Sequence, residues 1–206
     1  MFKSFATALS LSALLAVPTA SHALIYSFNA MLSGANEVGT AAPGGPGSGT
    51  AILDYDDKNT LTLVDDTYNF ALSVFGLTGG PGGTAASVFH IHGAANRTEN
   101  GPVRVSIDAA PFVALNLGST LLVGGNNVSA PTGLFSNGPY TNLSFFQMLR
   151  NNLTYVNVHT TLNPQGAVRG QLIEVSVVPE PSTYAMLLAG LGVVGLVLRR
   201  RSARGA

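Results

Sequence analysis

Cysteine is absent from this chain, which excludes disulfide staples and thiolate metal sites. Tryptophan is absent as well. Charge is scarce: Asp, Glu, Lys and Arg make up 10% of the 206 residues, well under the usual quarter of a soluble domain. The formal net charge of +0 hides a partition. Every acidic residue lies between Glu37 and Glu180, where only Lys58, Arg97, Arg104, Arg150 and Arg169 oppose them. The central body is therefore mildly acidic, which argues against a nucleic-acid groove. Glycine, by contrast, is plentiful at 24 residues. A low-charge, glycine-rich, apolar chain is either membrane-associated or an exported β-protein with many turns.

The two ends read as addresses. Residues 1–23 have the form of a secretory signal peptide. Lys3 supplies the positive start, residues 5–17 are apolar apart from Ser and Thr, and Ser21-His22-Ala23 places small residues for cleavage after Ala23. The run is short and interrupted by Pro18, which disfavours an anchor helix. Passage through the Sec machinery follows from this reading. At the other end, residues 184–198 carry no charge and predict a hydrophobic transmembrane helix. As a helix they span about 22 Å, less than the ~30 Å hydrocarbon core. Arg199, Arg200 and Arg201 would hold its end on the cytoplasmic side of the inner membrane. Pro179-Glu180-Pro181 stands just before it. This order of P-E-P, short apolar helix and Arg cluster resembles the PEP-CTERM sorting signal of Gram-negative bacteria. The resemblance implies that residues 178–206 are recognised by an exosortase and cut near the P-E-P. The product would be released to the cell surface or extracellular matrix.

Between the ends, residues 24–177 are enough for one domain with a substantial core. Residues 24–32, 50–55, 60–64, 68–75, 87–92, 102–107, 155–160 and 168–177 read as strands. The glycine- and proline-rich loop 39–49 lacks the Lys and following helix of a phosphate cradle. Residues 54–59, D-Y-D-D-K-N, lack the Gly and Glu of a Ca²⁺ loop and read as a hairpin turn. Residues 108–140 read as a surface excursion with at most one edge strand. Residues 141–150 predict a short helix capped by Thr141 or Asn142. The expectation is an all-β immunoglobulin-like sandwich or barrel of about eight strands with one short helix.

The candidate site is built on histidine. In the stretch 87–93, S-V-F-H-I-H-G, strand alternation puts Val88, His90 and His92 on one face and Phe89 and Ile91 on the other. In the stretch 155–160, Val156 and Val158 oppose Asn157 and His159. If these strands are neighbours, His90, His92 and His159 share a face. Three neutral imidazoles suit Cu(II) or Zn(II) and leave a coordination position open. Their nitrogens would then lie within about 5 Å of a common point. The alternative is that each His donates to a loop carbonyl and holds the loops 93–101 and 163–166 in place. Arg169 is a candidate partner for Glu37 or Asp108. Ser87 has no nucleophile elbow, and the carboxylates at 54–57 and 65–66 form no acid/base pair, so no enzyme is expected.

Four pieces resemble the CHRD domain: A-M-L-S-G-A-N-E-V (30–38), G-T-A-I-L-D-Y-D (49–56), F-H-I-H-G-A-A (89–95) with N-G-P-V (100–103), and Y-V-N-V-H-T-T-L-N-P-Q-G-A-V-R-G-Q-L (155–172). The resemblance implies an immunoglobulin-like β-fold in an exported protein. The long 108–152 segment departs from the family pattern. F-H-I-H-G also resembles the H-x-H strand of Cu/Zn superoxide dismutase, but beyond His90, His92 and His159 the body offers no histidine to complete that ligand set. The reading is a non-catalytic surface or matrix domain that meets polysaccharide or a surface protein. A Cu or Zn domain centred on the three-His site, open to redox activity, is the alternative.

Overall fold

A computed structural model describes residues 24–39, 45–78, 86–175 and 186–194. The signal segment with Ala23, the Pro179-Glu180-Pro181 motif and Arg199, Arg200 and Arg201 lie outside the described residues. Residues 186–194 are helical and exposed. Among the described residues no helix is long and apolar enough to cross a membrane.

The fold is all-β, as the strand periodicity predicts. Among the described residues twelve strands form: β1 (Ile25–Ser33), β2 (Ser48–Asp56), β3 (Thr67–Phe75), β4 (Ala86–Gly93), β5 (Val103–Ser106), β6 (Val113–Leu117), β7 (Thr120–Ser129), β8 (Phe135–Asn137), β9 (Tyr140–Leu143), β10 (Thr154–Thr160), β11 (Val168–Gln171) and β12 (Ile173–Val175). The helix α1 spans Phe145–Arg150. A single curled sheet runs β5-β4-β10-β11-β1-β2-β3-β7-β6, with β12 also paired to β1. β8 and β9 form a separate ribbon. All pairings are antiparallel.

The core fills the inner face of the curl. Phe28, Leu53, Leu72, Leu121, Ile91, Val156, Val158 and Val168 point inward at 4% exposure or less. Each such side chain contributes roughly 1.5–3 kcal/mol on burial. α1 packs Phe145, Met148 and Leu149 into this core. The Phe145 ring lies 5.8 Å from Tyr68 and 6.4 Å from Tyr55.

Three local expectations are corrected. The described residues hold twelve strands where about eight were expected, chiefly because 108–143 holds β6, β7, β8 and β9. β7 is an interior strand paired along β3, although Gly124, Gly125 and the positive-φ Asn127 interrupt its apolar pattern. Residues 60–64 are not a strand. Leu61 and Val64 are exposed, and Asp65 holds the loop by accepting from Thr60 and Thr62 hydroxyls. The helix is capped by Ser144, not Thr141 or Asn142. Ser144 Oγ accepts from Gln147 N–H, and Gln147 Oε1 accepts from Ser144 N–H, a reciprocal capping box. Thr141 and Asn142 belong to β9.

Candidate metal centre

β4 and β10 are antiparallel neighbours, so the two histidine stretches lie side by side. His90 stands opposite Asn157, His92 opposite Tyr155, and His159 opposite Val88. Phe89 and Ile91 face the core at 4% and 0% exposure. Strand alternation therefore places His90, His92 and His159 together on the outer face, half-buried. The ring centroids are 5.6 Å apart for His90–His92, 5.5 Å for His90–His159 and 6.2 Å for His92–His159.

The nitrogens divide into two groups. His92 Nδ1 lies 2.8 Å from Gly101 O, and His159 Nδ1 lies 3.1 Å from Pro164 O. A carbonyl only accepts, so both Nδ1 atoms carry the proton and donate. That fixes the tautomer and leaves each Nε2 with its lone pair. His92 Nε2, His159 Nε2 and His90 Nδ1 are buried and have no hydrogen-bond partner among the described residues. One nitrogen from each ring lies within 4.8 Å of the other two. A triangle of that size has its centre no more than about 2.8 Å from each corner. Shifts of under about 1 Å would bring all three to a Zn–N bond near 2.1 Å.

Electrostatics keep the rings neutral. Burial pushes the His92 imidazole down to about 4, aided by His90, His159 and Arg169 and opposed by the Gly101 carbonyl. Burial also lowers His90, against the pull of Asp108, and lowers His159, against Pro164 O. Protons therefore compete weakly for the lone pairs a metal would use. A carbonyl on the far nitrogen of a ligating imidazole is the usual way to orient it.

A second set of polar groups supports the cluster, and sequence reasoning saw little of it. Tyr155 stacks on His92 with centroids 4.8 Å apart and planes 9° from parallel. The Arg169 guanidinium sits over the Tyr155 ring, 3.5 Å from its centroid. Arg169 is 1% exposed. It forms no ion pair with Glu37 or Asp108 among the described residues. It donates instead to Asn100 Oδ1, Asn96 O and Glu99 O at 2.9, 2.9 and 2.8 Å. Arg169 thus anchors the loop whose end, Gly101, accepts the hydrogen bond from His92 Nδ1. Glu37 Oε2 accepts from Asn157 Nδ2 at 3.3 Å, and burial raises its carboxyl to about 7 against the opposing pull of Arg169. A cleft of about 840 Å³ opens beside Arg169, lined in part by Asn36, Glu37, Arg97 and Gln171; none of the three histidines lines it.

Fold and site together define a curled all-β domain with a three-histidine cluster on its outer face. The chain belongs to the CHRD domain family, whose pattern matches residues 28–172 and includes both histidine strands. Residues 177–201 match the PEP-CTERM protein-sorting motif. That motif marks an exported protein, sorted by an exosortase and held transiently by a C-terminal membrane anchor. No curated protein and no solved structure gives a significant match.

Proposed function

We propose that this chain is a non-catalytic surface or matrix protein whose CHRD domain binds one divalent transition-metal ion, Zn(II) or Cu(II), through His90, His92 and His159. One observation carries the reading. The three rings each bring one nitrogen within 4.8 Å of the other two, each ring has one buried nitrogen without a hydrogen-bond partner, and in two of those rings the other nitrogen already donates to a backbone carbonyl. The loop-holding role expected from sequence and the metal role are therefore compatible, because each uses a different nitrogen of the same imidazole. Three imidazoles leave room for a fourth, exogenous ligand. The Sec machinery delivers the chain, and the released domain meets polysaccharide or surface protein in the matrix.

Elemental analysis of the exported protein tests the metal. The expected result is close to one Zn or Cu per chain, lost in His159→Ala. With metal at 100-fold over Kd, the wild type gains about 2.7 kcal/mol of stability and the variant gains none. Absence of bound metal, together with no binding on titration at micromolar Zn or Cu, ends this reading. Fractionation tests the address: retention of the whole chain in the cytoplasm would contradict it.

A further inference from the structure

We infer that a second copy of this chain pairs along β6, joining two curled sheets into one across a two-fold axis at Leu115. β6 is the terminal strand of the sheet among the described residues, with β7 as its only strand neighbour. Its sequence is V-A-L-N-L, and all five residues are exposed. Val113, Leu115 and Leu117 stand 77%, 48% and 59% exposed. Leu115 lies opposite Leu122, itself 36% exposed, so the apolar surface continues onto β7. An edge strand offers a row of unpaired N–H and C=O groups. Soluble proteins usually guard such edges with lysine, proline or an inward-pointing charge. β6 contains none of these.

Charge says what the partner is. No charged side chain occurs from residue 109 to residue 149, whereas the rest of the body is acidic. Two copies meeting through β6 and its flanking segment therefore set no like charges of that segment against each other. The strand is also self-complementary. Antiparallel pairing about Leu115 sets Val113 against Leu117, Ala114 against Asn116, and Leu115 against itself. An isologous two-fold contact needs such a surface. On the inner face Asn116 Nδ2 donates to Ala86 O at 2.8 Å, which ties β6 to the start of β4 and holds the edge in place.

The absence of cysteine supplies a clean test. In the full chain, extracted in mild detergent, Leu115→Cys places two thiols opposite each other at the axis. Directly opposed Cβ atoms in antiparallel strands lie about 4.5–5.5 Å apart, within small adjustment of a disulfide. Mild oxidation is expected to convert most of this variant to a covalent dimer on a non-reducing gel. Val103→Cys, on the opposite edge strand β5, stays monomeric. Light scattering on the wild type should give twice the chain mass. Leu115→Lys should give the monomer mass with unchanged circular dichroism. A monomeric wild type at about 100 μM, a dimer indifferent to Leu115→Lys, or equal cross-linking at 103 and 115 overturns the inference.

Discussion

Replacing Arg169 by methionine keeps the volume of the side chain and removes its five donors. Three acceptors then lose their partners: Asn96 O, Glu99 O and Asn100 Oδ1. An unsatisfied buried acceptor costs about 1–3 kcal/mol. These are only partly buried, so the low end applies and the loss is about 3 kcal/mol. The cation–π contact with Tyr155, at 3.5 Å, adds about 1 kcal/mol. Against this stands relief from burying a cation, which burial already disfavours enough to lower the Arg169 pKa. Relief of about 1–2 kcal/mol leaves a net destabilisation of roughly 2–3 kcal/mol. That is a large share of the ~5–15 kcal/mol typical of a domain. Urea unfolding followed by far-UV circular dichroism measures it. The variant should also bind metal about 10-fold more weakly, because the released loop carries the carbonyl that orients His92. Arg169→Met within about 0.5 kcal/mol of wild type would refute the view that this side chain holds the loop.

Two further substitutions probe the surroundings. Glu37 is raised from 4.5 to about 7, so the folded state holds a proton that the unfolded chain has released between those values. Stability from this group is complete below pH 4.5 and is lost as pH rises to 7. Glu37→Gln should therefore match wild type near pH 4 and exceed it at pH 8. The gain, discounted for the part of the carboxyl still in water, is on the order of 2 kcal/mol; parallel urea midpoints at the two pH values would count against it. Gly166 sits at φ +140°, and a Cβ there would meet the Glu37 carboxylate. Gly166→Ala should destabilise by more than about 1 kcal/mol, and an unchanged melting temperature would show that this loop yields freely.

The histidine strands were readable because period-two alternation needs no tertiary information. Phe89 and Ile91 sort inward, which sends His90 and His92 outward together, and Val156 and Val158 do the same for His159. Adjacency of β4 and β10 was only a condition at the level of sequence, and the topology meets it. The donation of His92 and His159 to loop carbonyls was also anticipated in kind. The Arg169–Tyr155–His92 stack was hidden, since nothing local tells an arginine that its acceptors are carbonyls on a distant loop. β7 was hidden for another reason. Gly124, Gly125 and Asn127 look like a turn, yet cross-strand pairing with β3 overrides that preference. The isolated leucine and valine at 61 and 64 misled in the opposite sense, as apolar residues that remain in water.

The split duty of the imidazoles bears on the order in which the centre is assembled. Its three nitrogens come from strands distant in sequence, and they meet only after β10 has zipped onto β4 across the whole β5–β9 segment. Such long-range pairings close late, because loop entropy is lost before the contact repays it. A chain caught part-way offers a metal no more than the lone His90–His92 pair. Tight occupancy at this position is therefore a certificate of completed folding, and a spectroscopic signal from a bound ion would time the last closure of the sheet.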